Sequence, residues 1–316
     1  MHVLLNVTLP VFGIILAGYV VGRLRLLGAH GSEVLNGFAF YVALPALLVV
    51  AMTRVPVADV LNGPFIAAYL GGTGLTYLIA VLVGRGLFPQ PPVQRTMMGL
   101  TAVFANTGYM GVPLFLAAFG GDRALPAIIG MVLMATVTMS AGIVLVELAQ
   151  ARAQTRPRSR LGLLRDLARA LNTNPLVMAP VLGLAVSASG LALPRPIETF
   201  LSLLGGAAGP CALFALGLFL VGKKLRANAG EVAWITVVKL IVQPAVTWLL
   251  AVPLLGLEPF WAGSVVLLSG LPTAALVFTL AQRYGVYVDR ASSATLASTV
   301  LSVLTIPVIL VLLNLR

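Results

Sequence analysis

Ala105-Asn106-Thr107-Gly108-Tyr109-Met110-Gly111-Val112-Pro113 interrupts a long apolar run in the first half of the chain. If that run crosses a bilayer, an amide side chain and three helix breakers, Gly108, Gly111 and Pro113, lie near its middle. Such a placement is costly. Pro113 has no N–H to give the carbonyl of Tyr109, and its ring collides with that carbonyl. Backbone groups freed at membrane depth persist only where protein buries them or where they line a cavity. The break therefore marks a candidate site. A second break, Leu268-Ser269-Gly270-Leu271-Pro272-Thr273, lies late in the chain, with Gly270 and Pro272 as its helix breakers.

The surrounding composition requires a bilayer. The 316 residues are 59% hydrophobic and only 9% charged, and the mean hydropathy is +1.04. A soluble domain carries about 25% charged residues, so a water-exposed surface cannot be built from this chain. The net charge of +11 does not point to nucleic acid, whose binders gather basic residues on one folded face. Here they are spread between apolar segments. The single Cys211 excludes an intramolecular disulfide and a cysteine metal site, and it reads as a small packing residue. No metal or cofactor site is expected. An intramembrane enzyme needs a nucleophile with a base, or metal ligands, yet His2 and His30 are terminal or in a loop and no Asp lies within a span.

Ten apolar runs approach the length of about 20 residues that a helix needs to cross the hydrocarbon core. They cover 3–22, 34–53, 64–84, 94–119, 124–148, 174–193, 197–221, 232–255, 260–282 and 291–314. The first lacks the basic start and the cleavage pattern of a signal peptide and reads as a retained span. Assigning alternate loops to one side gathers fifteen of the twenty Lys and Arg there: Arg23, Arg25, Arg85, Arg95, the six arginines between Arg152 and Arg169, Lys223, Lys224, Arg226, Arg283 and Arg290. Arg54, Arg123, Arg195 and Arg316 fall on the other side. The positive-inside bias then places the basic loops in the cytoplasm and both termini outside.

The Arg-rich stretch 150–172 reads as a cytoplasmic linker and divides the spans into five and five, giving a first repeat of 1–149 and a second of 173–316. An odd number of spans per half requires the second half to insert inverted, as in inverted-repeat transporters. The prolines agree: Pro10, Pro45 and Pro113 fall in spans 1, 2 and 4, and Pro180, Pro210 and Pro272 in spans 6, 7 and 9. Both broken spans are thus the fourth of their halves. The expected fold is an all-α polytopic membrane protein with ten transmembrane helices in two inverted five-helix repeats, helices 4 and 9 being broken.

Two breaks in spans that run in opposite directions suit an anion, because their helix N-termini can converge. A half-helix N-terminus carries free N–H groups and about half a positive elementary charge. Proline is favoured at a first helical position, so the second half of span 4 can restart at Val112-Pro113 and that of span 9 at Pro272-Thr273. Asn106 either donates its amide to a carboxylate or caps the broken helix. Thr107, Ser269 and Thr273 either touch the ligand or bond their own backbone. Tyr109 either stacks on an aromatic substrate or packs, whereas Gly108 and Gly111 allow close crossing. Lys239, a cation inside span 8 with Gln243 one turn on, is a functional candidate by its depth, but about eight residues from the cytoplasmic end its stem can also snorkel to the interface. Glu147 is either its partner or an interfacial acid. Asn6, Thr8, Thr136, Thr138 and Ser140 read as helix-packing polar residues.

The stretch Asn106-Thr107-Gly108-Tyr109-Met110-Gly111-Val112-Pro113 resembles the N-T-G-[FY]-[ML]-G-x-P motif of the auxin efflux carrier family, within the bile acid/arsenite/riboflavin transporter-like superfamily. Leu271-Pro272 with Val277-Phe278, Ala281 and Tyr284 is similar to the family's ninth-span segment, and Leu44-Pro45-Ala46-Leu47-Leu48 to its second-span pattern. The resemblance covers essentially the whole chain. It implies that the unwound helices 4 and 9 cross near mid-membrane, that spans 1, 2, 6 and 7 form a scaffold that makes a homodimer, and that a transport domain of spans 3–5 and 8–10 moves against it. It implies a plasma-membrane carrier, in the inner membrane of a bacterium, for small organic anions: auxin-like weak acids or carboxylates such as malate and malonate. The substrate-binding candidates are Asn106, Thr107, Gly108, Tyr109, Pro113, Ser269, Pro272, Thr273 and Lys239. The alternatives are a Na+- or H+-coupled symporter, in which unwound carbonyls hold the cation, and a passive anion channel. The short linker departs from the long plant exporters and puts kinase control of their kind in doubt.

Overall fold

In the computed structural model the described residues are 9–28, 30–53, 61–153, 173, 175–222 and 228–313. His2, Asn6, Thr8, Arg54, Lys223, Lys224, Arg226, Arg316 and most of the Arg-rich linker lie outside them. The described residues are helical throughout apart from short connections and the two breaks. Six continuous helices are long and apolar enough to cross a membrane: α2 (Gly31–Thr53), α3 (Gly63–Leu87), α6 (Leu125–Gln150), α8 (Arg195–Leu220), α9 (Ala229–Leu254) and α12 (Val288–Leu312). Shorter apolar helices are α1 (Leu9–Arg23), α5 (Thr107–Phe119), α7 (Pro175–Ala188) and α10 (Pro259–Ser269). Two further helices, α4 (Pro92–Val103) and α11 (Ala275–Tyr284), complete the broken segments.

Local chemistry sets many of these ends. The Asn62 side chain accepts from the Phe65 N–H at 3.0 Å and so caps α3, and Asn228 caps α9 through the Gly230 N–H at 3.1 Å; each satisfies a donor that a helix start leaves free. Proline opens α4, α7 and α10, where its missing N–H costs nothing. Gly285 ends α11 in the left-handed conformation at φ 64°, which a residue without Cβ adopts freely. Large aliphatic side chains such as Leu16, Leu78, Leu249 and Leu304 remain exposed. On a soluble protein that surface would be a liability, but on a membrane helix it faces lipid.

The helices pack in two groups. In one, α1 lies along α8 and α7 along α2, with α8 also against α2. Glycine makes these approaches possible: a Cβ on Gly217 would sit 2.0 Å from the Ile15 carbonyl oxygen, one on Gly18 would sit 2.2 Å from that of Phe214, and one on Gly183 would sit 2.5 Å from that of Val49. In the other group α3 packs on α4 and α9, α10 on α3, α6 and α9, and α12 on α9 and α11. The edge of this group at the start of α9 carries a buried polar knot. Glu231, in the first turn of α9, accepts from Gln90 Nε2 at 3.1 Å and from the Tyr287 hydroxyl, and lies 3.2 Å from Arg290 Nη1. Arg290 also donates to Gln90 Oε1 at 2.7 Å. Burial first, and the Glu231 carboxylate second, raise the Tyr287 phenol well above its ordinary range, so it remains a donor.

Candidate functional site

The two breaks meet. Ala105 and Thr273 form an antiparallel bridge, with the Asn106 N–H donating to the Pro272 carbonyl at 2.9 Å and the Ala274 N–H to the Phe104 carbonyl at 2.8 Å. Each broken helix thus uses the other's freed backbone groups, which is how the cost of interruption at membrane depth is met. The pairing also corrects one expectation. Helix α11 does not restart at Pro272-Thr273 but at Ala275, because Pro272 and Thr273 are held extended by the bridge. On the other side, a wide π turn over Thr107–Gly111 leads into regular helix at Val112, with Pro113 in its first turn.

The polar side chains divide by what holds them. Thr273 is fully buried; its N–H donates to Ser298 Oγ at 3.0 Å and its hydroxyl to the Thr101 carbonyl at 3.1 Å. It stitches α11 to α4 and α12 rather than bonding its own helix. Ser269 donates to Val266 in its own helix at 2.9 Å. Asn106 is 2% exposed, yet its amide Nδ2 has no partner and its side chain makes no capping bond. The capping role belongs instead to its backbone carbonyl, which accepts from Met110 at 3.2 Å and Gly111 at 3.0 Å. An unpaired buried donor of this kind costs about 1–3 kcal/mol. Thr107 is buried and Gly108 and Tyr109 are half-buried, on a turn that packs against α8. The Tyr69 hydroxyl faces Thr107 without closing a regular hydrogen bond.

The glycines separate as well. A Cβ on Gly111 would lie 2.9 Å from Leu271 Cδ1, so this glycine permits the crossing, whereas on Gly108 it would meet only Met131 at 3.5 Å, an ordinary contact. Gly270 lets α12 approach, where a Cβ would lie 2.4 Å from Ile309 Cδ1. Beside the break, a cavity of about 320 Å³ opens between Leu47, Val50 and Ala51 of α2, Ser202 of α8, and Val112, Leu116 and Ile128 of α5 and α6.

Lys239 does not snorkel. It is fully buried, and its ammonium donates to the Ser269 carbonyl at 2.5 Å and to Gln243 Oε1 at 2.7 Å. Gln243, also fully buried, passes a hydrogen bond to the Val103 carbonyl at 3.3 Å. Glu147 lies elsewhere, accepting from the Tyr284 hydroxyl at 3.0 Å. Ser298, Thr101 and Tyr69 were not singled out by sequence; the run of Ser and Thr between Ser292 and Ser302 was the available signal for the first. Among the described residues no cluster of three or more His, Cys, Asp or Glu could hold a metal.

A family model described as a membrane transport protein matches residues 3–310. The chain belongs to the auxin efflux carrier family of membrane transporters. Two of the three stretches that resemble the family are the breaks themselves, and the bond from Asn106 to Pro272 joins them. This auxin efflux carrier family member is 32% identical over 310 residues to a protein of Rhizobium meliloti named "Putative malonate transporter", covering 98% of this chain and 95% of that one. It is 28% identical over 316 residues to an Escherichia coli K12 protein named "Uncharacterized transporter YfdV", covering 95% and 94%. A mouse protein named "Lysosomal cholesterol signaling protein" matches at 27% over 254 residues, 75% of this chain but 28% of its own length. The family and the names of the two bacterial relatives mark a membrane transporter.

Proposed function

We propose that the protein is a secondary carrier of small organic anions that binds one carboxylate at the crossing of the two broken segments. The observation that carries this reading is the unpartnered amide nitrogen of Asn106, buried between paired breaks. A helix start cannot satisfy its own first N–H groups, so the start of α5 at Gly108 and Tyr109 supplies donors beside that amide, and the start of α11 faces them across the bridge. A carboxylate placed there accepts from Asn106 and from helix N-termini whose dipoles favour negative charge. Buried Thr107 and Pro113 and half-buried Tyr109 flank that amide on the turn. Ser269, Pro272 and Thr273 hold the opposing backbone in place. The malonate named for the Rhizobium meliloti relative, together with malate and auxin-like weak acids, defines the first substrates to test.

In this reading α4 with α5 and α10 with α11 each count as one broken span, giving ten spans in two inverted repeats separated by the 150–172 linker. The two packing groups support a scaffold of α1, α2, α7 and α8 and a mobile domain of the remaining helices. The cavity between α2 and α8 on one side and α5 and α6 on the other lies along that seam and suits an elevator-like alternation. Dimerisation through the scaffold, a plasma-membrane location and both termini outside complete the proposal.

The test is a flux screen of the purified protein in proteoliposomes against malonate, malate, indole-3-acetate and uncharged analogues of the same size. Saturable uptake of one or more carboxylates, with exchange against unlabelled acid on the opposite side, is the expected result. Linear, non-saturating conductance without exchange would replace the carrier by a channel. Movement of the uncharged analogues alone would overturn the anion site.

A further inference from the structure

Each break leaves a C-terminal helix end as well as an N-terminal one. The last residue of α10 is Ser269 and the last of α4 is Val103. Their carbonyls point away from their own helices, and each such end carries about half a negative elementary charge. Left alone in a dry interior, two such ends are as costly as the free N–H groups are useful. One pair of side chains on the neighbouring helix α9 meets both. The Lys239 ammonium contacts the Ser269 carbonyl at 2.5 Å and Gln243 Oε1 at 2.7 Å, while Gln243 Nε2 contacts the Val103 carbonyl at 3.3 Å. Both side chains are fully buried, and the π turn Val238–Val242 contains Lys239 and ends one residue before Gln243.

The surroundings of the Lys239 ammonium are a carbonyl and an amide oxygen from an interrupted helix and its neighbour. Carbonyl oxygens at the C-terminal ends of interrupted helices also coordinate Na+. We propose that Lys239 is a tethered replacement for a bound monovalent cation: its ammonium occupies an oxygen site at the crossing that would otherwise take a free ion. The tethered group remains at the site in every step, so binding of the anion does not wait on a cation from solution. The ammonium meets the Ser269 end directly and the Val103 end through the neutral Gln243 amide, and about one positive unit from the two N-terminal ends is left for the substrate carboxylate. Lys239 is on this account a positioning residue that shapes the crossing and does not touch the substrate.

The inference rests on the carrier reading for its meaning in transport, and its test is independent of any substrate. Thermal melting of the purified protein is measured while NaCl, LiCl or methylammonium chloride replaces choline chloride at constant ionic strength. The wild type is expected to melt at one temperature in all four salts. Lys239→Ala, which removes the ammonium and opens its space, is expected to melt lower in choline and to recover saturably as Na+ or methylammonium fills the vacated oxygens, since an ion that binds only the folded state stabilises it by mass action. Lys239→Met fills the space without charge and is expected to show no cation response. A Lys239→Ala protein that folds and melts alike in every salt would overturn the proposal. Should that variant be recovered folded only from Na+ buffers, the proposal is supported; should it never fold, the wild type decides, because saturable stabilisation of the wild type by Na+ would show a vacant cation site that Lys239 does not fill. Failure of the substrate screen with these melting results intact would sink the anion reading alone.

Discussion

Replacing Asn106 by alanine separates binding from folding at this site. The backbone of Asn106 does the structural work: its N–H donates to Pro272 at 2.9 Å and its carbonyl accepts from Met110 and Gly111. Alanine keeps all three bonds. The side chain removed is buried and its Nδ2 has no partner, so deletion relieves an unpaired donor while losing some packing, and the two effects leave stability within about 1 kcal/mol of wild type. Transport is affected differently. A hydrogen bond from an amide to a charged carboxylate is worth about 1.5–3 kcal/mol, which is roughly a 10- to 150-fold loss in apparent affinity. Asn106→Asp keeps the shape but offers only acceptors, and its loss is expected to be at least as large. Initial rates of carboxylate uptake into proteoliposomes, at several concentrations, give the affinity, and melting of the same preparations gives the stability. Full transport by a folded Asn106→Ala protein would refute the assignment, and a fall in melting temperature of several degrees would reassign Asn106 to the structure of the break.

Two further substitutions test the frame around the site. Gly217→Ala places a Cβ 2.0 Å from the Ile15 carbonyl oxygen, where the obstruction is backbone and cannot rotate away; overpacking of this kind costs about 3 kcal/mol, and lower melting with a loosened α1–α8 pair, measurable by cysteine crosslinking across it, is expected. Glu231→Ala removes the acceptor shared by Gln90, Tyr287 and Arg290; because the Arg290 side chain is 34% exposed and can turn to water, the expected cost is about 2 kcal/mol in denaturant unfolding, not the larger value of a fully buried pair.

Much of this was legible in the residues. The apolar runs predicted the helices to within a few positions, because a bilayer demands length and hydrophobicity whatever the neighbours are. Pro113 and Pro272 located both breaks, since a missing N–H is a property of the residue alone. Where α11 restarts was not legible. Pro272 is suited to open a helix, but the bridge between Ala105 and Thr273 holds it extended, and that bridge is formed by residues more than one hundred and fifty positions apart. Lys239 likewise read as a cation able to snorkel, for the distance to the interface along the chain says nothing of which oxygens lie beside it.

By itself the sequence determined a helical membrane protein interrupted twice, its family, and the residues at which the interruptions fall. Only the tertiary structure decided that the two interruptions hydrogen-bond to each other, that the Asn106 amide is left without a partner, and that Lys239 and Gln243 meet the helix ends at Ser269 and Val103. The physical reason is the range of the interactions. Hydrophobicity and backbone sterics act within a helical turn or along one span and are written locally, whereas the satisfaction of a buried polar group depends on which distant segment arrives beside it.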